Sequence, residues 1–151
     1  MIVMYWKQHY NRARPAQVFP LLTPVIPTPD HPSYPSGHSF QSHLIANLLN
    51  VLMPNLGTTF QASLTALAKR IAENREVAGL HYQSDSDAGR ALADLIAPLI
   101  TTLPTFTDPA FEQGLGSEWS NIRPGQPPAS IEKWLPQSEA IVEALLERLS
   151  K

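Results

Sequence analysis

The sequence predicts an all-α fold, a helical bundle of about five helices. Three observations carry this expectation. Apolar residues recur at helical spacing in several long windows, and no window alternates apolar and polar residues as a half-buried strand would. Proline, glycine and capping residues fall where those windows end. The chain has 151 residues, 43% hydrophobic and 16% charged, which suits a single domain over 1–151 with a core of its own.

Residues 1 to about 14 read as the first helix, ended by Pro15, which disfavours the α conformation at Arg14. Residues 15–35 hold seven of the fifteen prolines and read as a stiff, extended loop. A second helix opens near Ser36 and runs to about Met53, with Phe40, Leu44, Ile45, Leu48, Leu49 and Leu52 along one stripe. Pro54-Asn55-Leu56-Gly57 breaks it. Thr58 then caps a third helix, with Gln61 placed to complete a capping box. Its stripe is Phe60, Leu64, Leu67, Ala68 and Ile71, and Gly79 stops it. A fourth helix starts near Ser84 and Asp85, with Ala88, Ala91, Leu92, Leu95, Ile96 and Leu99 as its stripe and Pro98 expected to kink or shorten it. Residues 104–151 read as a C-terminal extension, less regular over 104–136. There Asp108-Pro109 opens a short helix to about Gln113, and a final helix covers 138–149 with Ile141, Val142, Leu145, Leu146 and Leu149 on one side.

Bulk properties remove several function classes. A net charge of -2 argues against a general nucleic-acid binder, which needs clustered positive charge. With no cysteine there is no disulfide, thiol nucleophile or zinc–thiolate site. Residues 39–68 carry no Asp, Glu, Lys or Arg, but Asn47, Asn50, Pro54, Asn55, Gly57 and Gln61 interrupt the stretch, so no transmembrane segment is expected. The N-terminus has no signal-peptide pattern, and the chain is expected to be soluble, in the cytoplasm or the periplasm.

Three segments carry chemistry. Lys7 and Arg14 lie two helical turns apart, so a continuous helix sets both on one face as oxyanion donors, the ammonium as a point charge and the guanidinium as a fork. Pro35-Ser36-Gly37-His38 opens a helix, where unpaired N–H groups favour an anion, Gly37 admits close approach, Ser36 adds a hydroxyl and His38 can move a proton. Arg75, His81 and Asp85 supply a further anion clamp, a ring nitrogen and a carboxylate four residues on that can hold the ring's tautomer. Taken singly, each segment also reads as ordinary surface or capping. Together they read as a phosphoryl-transfer site.

The order Lys7-x6-Arg14-Pro15, then Pro35-Ser36-Gly37-His38, then Arg75-x5-His81-x3-Asp85 resembles the phosphatidic acid phosphatase type 2 and vanadium haloperoxidase superfamily. The match spans residues 7–85, and residues 79–85 look like its bacterial acid phosphatase branch. The resemblance implies His81 as nucleophile or vanadate ligand, Asp85 as its orienting partner and His38 as general acid. Lys7, Arg14, Ser36, Gly37 and Arg75 would hold phosphate. It implies metal-independent hydrolysis of phosphate monoesters through a phosphohistidine. A vanadate-dependent haloperoxidase and a non-catalytic oxyanion-binding oligomer stand as alternatives, and vanadate is an inhibitor in the first reading and a cofactor in the second. Asp85 and Asp87 beside an arginine-rich site make a poor metal cage.

Two departures are visible. Asn74 stands where the third motif usually has serine, and Lys7 lies almost at the N-terminus although the family has helices before the first motif. The bundle is therefore expected to lack its leading helices, so that the chain is part of a longer protein or a homo-oligomer. The implied partner is a phosphate-bearing small molecule or lipid. His9, His31 and His43 read as exposed, loop-surface and structural residues respectively, and Trp6, Trp119 and Trp134 as core or interface anchors.

Overall fold

The structure, a computed structural model, describes residues 2–102. The expected helices at 108–113 and 138–149, with Trp119 and Trp134, lie outside the described residues. The chain divides into two units, Met1–Pro98 and Leu99–Lys151. All regular elements among the described residues are helical: α1 (Ile2–Tyr10), α2 (Pro15–Val18), α3 (Gly37–Leu52), α4 (Gly57–Val77) and α5 (Gln83–Thr101), with a 3₁₀ turn at Pro54–Leu56.

The first helix stops four residues earlier than the proline alone requires. Asn11 takes φ 42°, a left-handed conformation that asparagine tolerates better than most residues. Its N–H closes the last turn on the Lys7 carbonyl at 2.9 Å. Lys7 and Arg14 therefore do not share a helical face, which corrects the expectation of a helix to residue 14. Arg14 is extended (φ -74°, ψ 156°), as a residue before proline should be, and its N–H donates to Gln17 Oε1 at 2.7 Å. The proline-rich stretch is not wholly extended either, since Pro15 begins the single turn α2 with its φ already set for a helix.

Helix α3 begins as the sequence indicates. Ser36 is its N-cap, and its hydroxyl accepts from Ser39 N–H at 3.3 Å. Helices α3 and α4 pack against each other through small side chains, with Ala46, Ala68 and Ala72 buried and Ser42 Oγ donating to the Ala68 carbonyl at 3.2 Å. The Thr58 capping box does not form. The 3₁₀ turn runs through Leu56, in the αR region, and Gly57 (φ 80°) straight into α4, so Thr58 and Gln61 sit inside the helix. A capping side chain needs an extended backbone, and no residue there has one. Gly79 (φ 76°) follows the end of α4, as expected.

Helix α5 is entered through Tyr82, whose carbonyl accepts from Asp85 N–H at 2.9 Å. It runs past Pro98 to Thr101, so the proline does not shorten it at that point. The buried face also differs from the apolar stripe read from sequence. Asp85, Ser86, Gly89, Ala93, Ile96 and Ala97 are buried, whereas Ala91 and Leu95 are exposed. The reason is close contact with the start of α3. A Cβ on Gly89 would lie 2.5 Å from the Ser36 carbonyl oxygen and 2.9 Å from Ser39 Cβ. Ser36 N–H donates to the Asp85 carbonyl at 2.9 Å, and Ser39 Oγ to the Ser86 carbonyl at 2.6 Å. Backbone pairing needs small residues facing α3, so Leu95 turns away from it.

Candidate active site

Burial is the first sign of a site. The largest fully buried side chains among the described residues are those of Arg14 and Lys7, each 1% exposed. Cations are rarely buried without partners because their desolvation is costly. Lys7 Nζ donates to the Pro32 and Ser33 carbonyls at 2.7 and 2.9 Å. Arg14 donates from Nε to the His31 carbonyl at 3.1 Å and from Nη1 to the Leu80 carbonyl at 2.9 Å. The two side chains thus hold the carbonyls of residues 31–33 between them. They converge although α1 ends at Tyr10 and Arg14 follows on extended backbone.

A cavity of about 270 Å³ opens beside them. Lys7, Arg14, Gly37, His38, Arg75 and His81 all line it, with Val3, Met4 and Phe40 as an apolar wall. Ser36 and Asp85 stand behind these residues: Ser36 caps α3, and Asp85 supports His81. His31, read from sequence as a loop-surface residue, is half-buried and lines the same cavity, with Nδ1 3.1 Å from Arg14 Nη2. His9 is exposed. His43 is buried away from the cavity, where Nδ1 donates to the Ser39 carbonyl at 2.8 Å.

The best-defined geometry surrounds His81. Its Nδ1 lies 3.0 Å from Asp85 Oδ2, which also accepts from Tyr82 N–H at 3.0 Å. A carboxylate on Nδ1 holds the proton there, leaving the Nε2 lone pair on the cavity side, 3.3 Å from Arg14 Nη1. Burial pushes the His81 pKa below its ordinary value, and the opposing pull of the Asp85 hydrogen bond does not restore it. Burial pushes the Asp85 carboxyl up, but hydrogen bonds from His81 and Tyr82 and the Arg12 charge hold it below the usual range. His38 is exposed at the cavity, and its pKa is lowered by partial desolvation there and then by the Arg75, Lys7 and Arg14 charges. Burial and the Arg14 charge bring Lys7 down to about 8. Arg75 Nε is buried without a hydrogen-bond partner among the described residues.

Arg12 was not among the residues singled out from sequence. Its Nη1 donates to Asp85 Oδ1 and to Ser84 Oγ, both at 2.7 Å. The one hint in the chain was its place in Arg12-Ala13-Arg14, and an Arg-x-Arg pair by itself reads as surface charge.

The PAP2 superfamily model matches residues 1–107. The chain belongs to the PAP2 superfamily. A non-specific acid phosphatase of Salmonella typhi is 31% identical over 105 residues, which cover 66% of this chain and 40% of that protein. A second, from Salmonella typhimurium, is 30% identical over the same length. The chain thus spans about two-fifths of the length of these curated relatives. A transmembrane PAP2 type phosphatidylglycerolphosphate phosphatase from Bacillus subtilis overlaps 83% of this chain and 55% of its own, with a TM-score of 0.48 and 21% identity. Among the described residues of this PAP2 chain, no helix is long and apolar enough to cross a membrane.

Proposed function

We propose that this chain carries the site of an acid phosphatase-like phosphoric ester hydrolase, acting on phosphate monoesters through a phosphohistidine at His81 and without a metal. The observation that carries the reading is the His81–Asp85 pair. One ring nitrogen is fixed by a buried carboxylate, and the other faces a cavity lined by Lys7, Arg14, Arg75 and His38. The non-specific acid phosphatases similar to this chain support the same class.

In the first step the Nε2 lone pair exchanges its Arg14 donor for phosphorus and forms the N–P bond. The P–O ester bond breaks, and protonated His38 gives its proton to the leaving alcohol. In the second step neutral His38 takes a proton from water and the water oxygen attacks phosphorus. The N–P bond then breaks to release phosphate and neutral His81. Cationic donors and the N-terminal N–H groups of α3 stabilise the charged oxygens, which is the work a metal would otherwise do. The substrate contributes its phosphate head group to these donors, whether it is a small molecule or a lipid.

Rapid quench with labelled substrate tests the reading. The parent should trap acid-labile, alkali-stable phosphoenzyme, and His81→Ala should lose both the label and nearly all turnover. His38→Ala should slow an alkyl phosphate by about 10²- to 10⁴-fold and a nitrophenyl ester far less. Vanadate should compete with substrate. Label or parent-like turnover in His81→Ala would overturn the mechanism.

A further inference from the structure

We propose that Arg12 is a positioning residue for the His81–Asp85 pair: its guanidinium clamps the Asp85 oxygen that His81 does not use and so fixes the carboxylate in the orientation His81 needs. The inference deepens the function proposed above and rests on it.

The chain delivers Arg12 to this place through the break at Asn11. Had α1 continued, residue 12 would have followed the helix surface instead of turning toward α5. The two hydrogens of Arg12 Nη1 are matched by two acceptors, Ser84 Oγ and Asp85 Oδ1, both at 2.7 Å. The guanidinium carbon sits 4.1 Å from the Tyr82 ring centroid, a cation–π distance that restrains it from a second direction. Asp85 Oδ2 meanwhile accepts from His81 Nδ1 and from Tyr82 N–H. Three donors therefore hold two oxygens, and the carboxylate cannot turn without breaking a charge-assisted bond. Asp85 is fully buried, while the Arg12 side chain is 37% exposed and lies outside the cavity lining. Arg12 can reach the chemistry only through Asp85. Its own carbonyl accepts from Ser33 N–H at 2.9 Å, in the segment that Lys7 and Arg14 hold.

The charged and titratable groups facing the pair are Lys7 from α1, Arg12 and Arg14 from the segment after it and, across the cavity from His81, His31 from the loop, His38 from α3 and Arg75 from α4. Among the described residues, Arg12 is the only lysine or arginine bonded to Asp85. Removing it makes Asp85 harder to ionise. While Asp85 is ionised, its less compensated charge also holds a proton on His81 more firmly. Both changes act in one direction, so the reactive state, a carboxylate beside a neutral imidazole, forms only at higher pH.

The test uses the full chain with Arg12→Gln, Arg12→Lys and His81→Ala. Two measurements are made: the pH profile of kcat/KM on p-nitrophenyl phosphate, and the ¹⁵N titration of the His81 ring by NMR. Arg12→Gln should move the acid limb and the ring titration upward by about one pH unit. It should lower kcat by about 10- to 100-fold, the loss typical when a residue that orients a working histidine is removed, with KM little changed. Arg12→Lys keeps the charge and should restore most of the limb position. A parent-like limb and ring titration in Arg12→Gln would overturn the proposal. So would a loss uniform across pH and equal in both Arg12 variants. If Arg12→Gln does not fold, Arg12→Met keeps an apolar stem over the Tyr82 ring and removes the charge and both donors. An upward shift in that variant supports the proposal, and none overturns it. Turnover in His81→Ala sinks the phosphohistidine reading instead, while the ring titration, which needs no turnover, still reports on Arg12.

Discussion

Lys7 and Arg75 reach the same cavity with different attachments. Lys7 already donates to two backbone carbonyls, so its loss strands buried acceptors in addition to removing a proposed oxyanion donor. Arg75 carries a buried Nε with no partner among the described residues, and its fork can take two phosphate oxygens at once. Arg75→Ala should therefore lower kcat/KM by about 10- to 100-fold with little change in melting temperature, since a charge-assisted bond is worth about 1.5–3 kcal/mol. Lys7→Ala should lower the melting temperature too, with the smaller catalytic effect. Steady-state kinetics paired with thermal denaturation checks this, and the reverse ranking would show the donor assignment to be wrong. In the proposed mechanism the histidines set the pH range. There His81 must be neutral to attack, and its lowered pKa puts the acid limb of kcat/KM below 6.5. His38 must be protonated to release an alkyl alcohol, and its lowered pKa puts the falling limb below 6.5 as well. An alkyl phosphate should thus be turned over best on the acid side of 6.5, with two apparent values belonging to the coupled pair. A nitrophenyl ester needs little help from His38, so its activity should persist until the Lys7 ammonium deprotonates through about 8. Identical profiles for the two esters would remove His38 from the acid role.

At the scale of elements, the site depends on how closely α5 approaches the N-terminus of α3. Gly89 makes that approach possible. Alanine is the better helix former by about 1 kcal/mol, so an unconstrained position would gain from Gly89→Ala. Here the new methyl group would press on the Ser36 carbonyl oxygen at 2.5 Å, a backbone atom that cannot swing aside. Overpacking of this kind costs about 1–3 kcal/mol, and it should outweigh the propensity gain. Denaturant melts should show Gly89→Ala less stable than the parent. Its kcat should fall as well under the proposed function, because the Ser36 N–H to Asp85 carbonyl bond ties the start of α3 to the residue that holds His81. An unchanged or higher midpoint would mean that α3 and α5 can separate without loss.

At the scale of the whole molecule, much apolar surface faces outward among the described residues. Phe19, Leu21 and Val25 in the proline-rich loop, Ile45 and Val51 on α3, Leu67 on α4 and Leu95 on α5 are all exposed. A groove of about 260 Å³ between Trp6, Tyr10, Tyr34, Leu92 and Leu95 adds to it. Surfaces of this kind usually mark interfaces, and we expect copies of this chain to associate. Sedimentation velocity at micromolar concentration checks the point. A single monomer boundary across the range would overturn it.

Among the described residues, the long helices, most of their ends and most of the charged and histidine side chains that line the cavity were legible in the residues themselves. Ser36 before Gly37-His38 and Gly79 after α4 are local signals, set by capping and by positive φ, and need no distant partner. The three motifs likewise identified donors, ring nitrogens and carboxylate by chemical type. The tertiary structure alone decided where their side chains end. Lys7 and Arg14 meet because the helix ends at Asn11 and the chain goes on extended to Arg14, rather than along a helical face. His31 enters the cavity because Arg14 holds its carbonyl, and α5 buries Asp85, Ser86 and Gly89 where its leucines promised an apolar face. Arg12 finds Asp85 across 73 positions of sequence. Backbone propensity and capping act over a few residues, so sequence determines them. The burial of a cation against a carbonyl, or the fit of a glycine under a backbone oxygen, depends on atoms brought together only when the helices pack.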